Sequence, residues 1–244
     1  MTGTTGSPGA SGVVEDVGAE EAGRLSAGPP GAGPPKPRLR GVLHLGGLVA
    51  MLVAGPLLIS QAPGTESTAY LTIYVTSMVA LFGVSASFHL VHWAAPTRRW
   101  MRRADHSTIF IAIAGTYTAV GGLALGGWSR VLILVLVWTG AALGITLRQV
   151  WLDAPKWAVA VPYVVVGWSA LAVVPQLVRG LGGGGFALLL AGGLSYTVGA
   201  LVYALHRPDP FPRTFGYHEV FHTLTIVGAA VQYAVIFAYA LPRA

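Results

Sequence analysis

Long apolar runs dominate the chain after residue 40, and short polar or charged stretches separate one run from the next. A helix needs about 20 mainly apolar residues to cross the hydrocarbon core of a bilayer. Helix is the expected form because lipid offers no hydrogen-bond partners to an open backbone. The pattern predicts an all-α, polytopic membrane protein, a bundle of seven transmembrane helices at residues 41–59, 69–93, 106–125, 129–150, 157–175, 186–206 and 216–241.

The composition agrees with a membrane protein and narrows its chemistry. Hydrophobic residues make up 54% of the 244 residues and charged residues only 10%, against about 25% charged in soluble domains. The formal charge of +6 comes from residues beside apolar runs, so we expect it to set topology and not to bind nucleic acid. The chain has no cysteine, which excludes disulfides and thiolate ligands.

Charge also predicts the orientation of the bundle. Twelve of the 15 Lys and Arg residues fall on the N-terminal side of the seven predicted spans, and only Arg130, Arg179 and Arg243 fall on the other side. Basic residues concentrate in cytoplasmic loops, so we expect a cytoplasmic N-terminus and a C-terminus outside. The four glycines at 182–185 predict a loop between the fifth and sixth spans.

The first 38 residues differ from the rest of the chain. They hold nine glycines, six prolines and four of the nine acidic residues, with no apolar stretch to bury. Such a composition predicts a disordered tail, cytoplasmic by the orientation above, and it lacks the core of a signal peptide. We therefore expect residues 39–244 to form the seven-span membrane domain.

Five polar side chains fall at the cytoplasmic ends of three predicted spans. Ser85 and His89 lie four residues apart in the second span and so share a helix face. Asp105 comes at the start of the third span, and His218 and His222 lie four apart at the start of the seventh. Polar residues inside a span are costly and are functional candidates by default.

Because these five side chains lie at a similar depth in the membrane, they predict a metal site. Two imidazoles at positions i and i+4 and a third from another helix form the open three-ligand set that zinc takes in catalytic sites. We expect His89, His218 and His222 to bind zinc, with Asp105 taking a proton from a bound water and Ser85 hydrogen-bonding beside it. Taken singly, each has an alternative: Asp105 as a helix N-cap, Ser85 as a packing residue, and the histidines as interfacial groups, as we expect for His44, His92, His106 and His206.

A second motif overlaps the first. His218-Glu219-Val220-Phe221-His222 matches the H-E-x-x-H pattern of zinc proteases, in which the Glu is the general base. No His, Asp or Glu follows His222, so the third ligand must come from upstream, unlike in those enzymes. Glu219 also turns about 100° away from His218 on a helix. An intramembrane metalloprotease stays an alternative.

The same residues resemble a known family. S-A-S-F-H at Ser85–His89, D-H-S-T-I-F-I-A-I-A-G-T-Y-T at Asp105–Thr118 and H-x-x-x-H at His218–His222 are similar to the haemolysin III family, which belongs with progestin and adipoQ receptors and alkaline ceramidases. The resemblance covers about residues 38–244 and implies a multi-pass protein of the bacterial plasma membrane.

The resemblance also implies a site and an activity. It places zinc near the cytoplasmic face on the three histidines, with the Asp and Ser beside it. Since the superfamily includes hydrolases of ceramides, it implies a zinc-dependent hydrolase acting on a membrane lipid amide. The alternatives are a receptor-like or signalling protein with structural zinc, a pore-forming or cytolytic factor, and the metalloprotease.

Overall fold

The computed structural model describes residues 1–3 and 37–244, and the elements of this part of the chain are helical. Residues 37–244 belong to one compact unit. The disorder predicted for the tail concerns residues that lie almost entirely outside the described part. The helices are α1 Val42–Ile59, α2 Thr65–Leu90, α3 Ala95–Ala124, α4 Gly127–Val150, α5 Lys156–Gly167, α6 Val174–Leu205 and α7 Tyr217–Val235.

Three short helical turns complete the chain path. A 3-10 helix, Trp168–Val173, joins α5 to α6, and a π-helical turn, Ile236–Ala240, follows α7 before a last 3-10 turn at Leu241–Arg243. Among the described residues, six helical segments are long and apolar enough to cross a membrane. The prediction of an all-α polytopic membrane protein is therefore confirmed. The fifth and sixth predicted spans lie together in one 50-residue segment, Lys156–Leu205.

The break predicted at glycines 182–185 falls where two helical stretches of α6 meet. Gly182 leaves helical geometry, with φ 72° and ψ 167°, whereas residues 183–185 are helical, so the connection is shorter than the predicted loop. Glycine adopts this conformation without a steric penalty. The first helical stretch therefore ends at this residue, and the second begins directly after it.

The start of α3 also differs from the prediction. The helix begins at Ala95, with its N-cap at Ala94, so Asp105 lies well inside it. The N-cap role considered for Asp105 is therefore wrong, and its carboxylate is free to take part in side-chain contacts. The arginine-rich stretch between 98 and 103 forms the first turns of α3, which extends the helix beyond its apolar part.

The helix that carries Asp105 is central in the bundle. In its membrane window 72% of the residues are buried, against 22% for α1 and α4. Glycines allow its neighbours to approach closely, as small residues do in membrane helix packing. A Cβ at Gly144 of α4 would lie 2.3 Å from the Phe110 ring of α3, and one at Gly115 of α3 would lie 2.1 Å from Ser77 Oγ of α2.

The junction between α5 and α6 is held by a side chain of α3. Tyr117 Oη donates a hydrogen bond to the Gly167 carbonyl at 2.6 Å and accepts one from the Ala170 N–H at 2.9 Å. Both backbone groups lie where the helix tightens into the 3-10 turn. Tyr117 thus pairs groups that lipid could not satisfy, and it fixes the junction against the centre of the bundle.

Candidate metal centre

The structure brings the three predicted histidine ligands together. One potential ligand atom from each of His89, His218 and His222 lies within 4.8 Å of the others. His218 Nε2 and His89 Nε2 are 3.3 Å apart. Two nitrogens on a tetrahedral zinc, with bonds of about 2.0–2.1 Å, would be separated by roughly 3.3 Å. The donor set and its spacing therefore fit zinc, although the same distance also suits a hydrogen bond between the two rings.

Local helix structure explains how these residues meet. His89 lies in the last turn of α2. His218 and His222 lie in the first turns of α7, whose N-cap is Gly216. Their spacing of four residues stacks them on one helix face. His222 is only 2% exposed, so this face is turned into the bundle and towards the end of α2.

Ser85 and Asp105 lie beside the histidines. Ser85, one turn before His89 on α2, is 2% exposed. Its side chain lies close to the Asp105 carboxylate. Both residues line a cavity of about 40 Å³ together with His218 and His222. One water molecule needs about 10–15 Å³ of such a volume, so the cavity can hold water. Of the five predicted site residues, His89 alone does not line this cavity.

The carboxylate of Glu219 is engaged elsewhere. Arg40 Nε donates to Glu219 Oε1, Arg40 Nη2 lies 3.5 Å from Oε2, and the Gly216 N–H donates to Oε2 at 2.9 Å. Glu219 is 1% exposed and is not among the residues that line the small cavity. Glu219 thus caps the N-terminus of α7, as an acidic residue in the first turn of a helix commonly does. The geometry gives it no place as a general base.

Sequence reasoning missed two residues of the site. His44, expected at the interface, is 2% exposed, and its ring stacks on His222 with centroids 3.8 Å apart and planes 6° apart. His106 lines the small cavity, and its Nδ1 lies 3.4 Å from Arg148 Nη2. Their place inside predicted spans, at the depth of the other histidines, was the available signal. His92 and His206 are exposed, as expected.

A larger apolar cavity adjoins the small one. It has a volume of about 170 Å³ and is lined by residues of α2 to α7 and of the 3-10 turn. The two cavities share five lining residues: Leu81, Ile109, Tyr163, Ala200 and Phe221. Two other lining residues, Leu171 and Leu190, are 64% and 39% exposed. The apolar cavity therefore reaches the outer surface of the bundle beside the α5–α6 junction.

Comparison with known proteins agrees with the motif-based resemblance. The model of the family described as Haemolysin-III related matches residues 33–233, a range that contains all five predicted site residues. The chain is 32% identical to Hemolysin-3 of Bacillus cereus over 206 residues, which cover 83% of this chain and 91% of the relative. It is 31% identical to the Hemolysin-3 homolog of Bacillus subtilis (strain 168) over 168 residues, 69% of this chain and 76% of the relative.

A more distant similarity extends to animals. The human monocyte to macrophage differentiation factor is 27% identical over 171 residues, 68% of either chain. The bacterial matches cover most of the helical bundle, and the bundle itself carries six candidate membrane helices. The chain is therefore a multi-pass membrane protein that belongs to the haemolysin III-related family.

Proposed function

We propose that this protein is a zinc-dependent hydrolase that cleaves an amide bond of a membrane lipid. The observation that carries the proposal is the grouping of the three imidazoles, two of which line a small cavity together with Asp105 and Ser85, and this cavity adjoins a larger apolar one. A hydrolase of this kind needs a metal site, a proton acceptor and a space for hydrocarbon, and these lie side by side.

The proposal includes seven membrane crossings. A straight helix of 50 residues would be about 75 Å long, against a hydrocarbon core of about 30 Å. In the segment Lys156–Leu205, Trp168 Nε1 donates to Thr197 Oγ1 at 3.0 Å, although 29 residues separate them. The chain must therefore reverse direction between these residues, which favours two crossings. Seven crossings and the uneven basic residues then favour a cytoplasmic N-terminus and an outer C-terminus.

His89, His218 and His222 would hold zinc as neutral imidazoles and leave one coordination position open. When bound, zinc polarises a carbonyl and lowers the pKa of a coordinated water. Asp105, whose carboxylate faces the same cavity, accepts the proton of the attacking water and returns it to the leaving amine nitrogen. Ser85, whose side chain lies close to Asp105, would donate a hydrogen bond to the carboxylate and so orient it.

The apolar cavity supplies the specificity for lipid. Ligand pockets are mostly apolar, with a few polar groups that fix orientation. A hydrocarbon chain in the larger cavity would bring its head group to the small cavity, across the shared wall at Leu81 and Tyr163. The exposed Leu171 and Leu190 at its edge favour entrance from the bilayer beside the α5–α6 junction.

A second candidate is a receptor-like or signalling protein in which zinc is structural. It is favoured by the position of His89 and His218, which join the ends of α2 and α7 at 3.3 Å. Zinc at this point would clamp two helices that are distant in sequence without any hydrolysis. The two candidates differ in the role of Asp105, which only the hydrolase requires for turnover.

The test compares Asp105→Asn with the parent on a panel of lipid amides in detergent or liposomes. We expect Asp105→Asn to retain zinc and to lose hydrolysis by about 100- to 10,000-fold, the usual contribution of a general base. Asp153→Asn is the matched control, because Asp153 is exposed and forms a surface ion pair with Arg102. Equal turnover in Asp105→Asn would refute the mechanism, and no turnover by a zinc-loaded parent would favour structural zinc.

A further inference from the structure

We propose that residues 40–44, which are the two residues before α1 and the first three residues of α1, position the three histidines of the metal site. We call residues 40–44 the strap segment. It makes three contacts near the histidines: Arg40 contacts the first turn of α7, Gly41 contacts His89, and His44 contacts His222. The inference rests on the proposed metal site and adds the residues that set its geometry.

The first contact is the ion pair between Arg40 and Glu219. Their side chains are 18% and 1% exposed, and Glu219 directly follows His218 in the chain. The same carboxylate accepts the Gly216 N–H at 2.9 Å, so Arg40 is tied to the N-terminus of α7. Removing one member of a buried pair leaves an uncompensated charge. The first turn of α7, and His218 with it, therefore depends on Arg40.

The second contact is made by the backbone at Gly41. This residue has φ 87°, a left-handed conformation that favours glycine, and a Cβ there would lie 2.8 Å from His89 Cβ and 3.0 Å from Leu90 Cγ. The strap segment thus packs directly against the last turn of α2. Any side chain at position 41 would have to displace His89.

The third contact is the stacking of His44 on His222. The two rings are parallel within 6° at 3.8 Å, while Phe82 meets the His44 ring edge-on at 5.4 Å. Neither ring nitrogen of His44 has a hydrogen-bond partner among the described residues. Burying such a ring unpaired costs free energy. The stacked His44 ring offsets this cost, because it fixes the plane of the His222 imidazole.

A general docking role for α1 does not account for these contacts. Only 22% of its membrane window is buried, and another close contact lies further along the helix, where a Cβ at Gly55 would be 2.4 Å from Val75 Cγ1. Gly55 is eleven residues from His44 and about 16 Å away along the helix. The two ends of α1 can therefore be perturbed separately.

The experiment measures zinc affinity by chelator competition and the absorption spectrum of the Co²⁺-substituted protein, both on detergent-purified full chain. We expect Gly41→Ala and His44→Leu each to lower zinc affinity by about 10- to 100-fold, the usual effect of residues that orient metal ligands, and to alter the Co²⁺ spectrum. His44→Phe keeps the stacked ring and should restore most of the affinity. Gly55→Ala is the control and should lower thermal stability with the affinity and spectrum unchanged.

The ion pair gives a test by the sign of the effect. If the ion pair anchors the first turn of α7, then Arg40→Met and Glu219→Gln should both lower zinc affinity. A purely electrostatic influence predicts opposite signs, because the first variant removes a cation near the site and the second removes an anion. The double variant Arg40→Met/Glu219→Gln carries no unpaired buried charge, so it keeps the test valid if a single variant fails to fold, and it should also bind zinc more weakly than the parent.

The outcomes separate the two proposals. A parent that binds no zinc overturns the proposed function, and the inference with it. A parent that binds zinc, with affinity and Co²⁺ spectrum unchanged in Gly41→Ala and His44→Leu, overturns the inference alone. Equal loss of affinity in Gly55→Ala would also overturn it, since the effect would then be general destabilisation of α1.

Discussion

Replacing Gly144 by alanine perturbs the packing of α4 on Phe110, whose ring contacts a residue that lines both cavities. The new Cβ would lie 2.3 Å from two atoms of the Phe110 ring. Phe110 is fully buried, and its ring packs on Tyr163 at 4.5 Å between centroids. Tyr163 lines both cavities and donates a hydrogen bond to the His106 carbonyl at 3.0 Å. The added methyl group therefore has no free space to enter.

The magnitude follows from the cost of overpacking, about 1–3 kcal/mol for extra atoms in a well-packed core. For a chain of this size each kcal/mol lowers the melting temperature by about 2–4 °C, so we expect Gly144→Ala to melt about 2–12 °C below the parent. Phe110→Leu alone should also destabilise, because it leaves a space beside Tyr163. Together the two changes compensate, and the double variant should be more stable than the sum of the single effects by about 0.5–3 kcal/mol.

The assay is thermal unfolding of the detergent-purified parent, both single variants and the double variant, read by tryptophan fluorescence and by loss of the monodisperse peak. Strictly additive effects would show that the residues at positions 144 and 110 do not compete for the same space, and they would refute the close packing of α4 on the Phe110 ring. A Gly144→Ala protein as stable as the parent would refute it as well.

Two further predictions concern the α5–α6 junction and the metal. Tyr117→Phe removes the hydroxyl that pairs the Gly167 carbonyl and the Ala170 N–H. It should therefore lower the free energy of unfolding by about 1–3 kcal/mol in the same assay. A parent-like melting temperature would mean that water or another group satisfies these two backbone groups. Zinc at 100 times its dissociation constant should stabilise the parent by about 2.7 kcal/mol, so a strong chelator should lower the melting temperature of the parent, with no effect on His222→Ala.

The hydrophobic pattern was enough to predict the helical membrane fold, because each span must be long, apolar and internally hydrogen-bonded. The run of glycines also marked the break between two helical stretches at Gly182, although residues 183–185 continue as helix. The pattern misplaced the start of α3, because arginines at a helix end are polar but still helical.

The meeting of Ser85, His89, Asp105, His218 and His222 was predictable from depth alone, once the topology had been assigned. The depth of His44 inside a predicted span made it a candidate, but its contact with His222 was not predictable, because only the packing of α1 shows that the two rings stack. The partner of Glu219 was equally hidden, because Arg40 lies 179 residues away in the chain and no pattern links them.

The central claim is that three histidines hold zinc, and metal content tests it most directly. The measurement is elemental mass spectrometry of detergent-purified parent beside His89→Ala, His218→Ala and His222→Ala, with the exposed His92→Ala and His206→Ala as matched controls. We predict about one zinc ion per chain in the parent and in both controls, and its loss in the three site variants. A folded, monodisperse parent without metal, or zinc that persists in all three site variants, would contradict the claim.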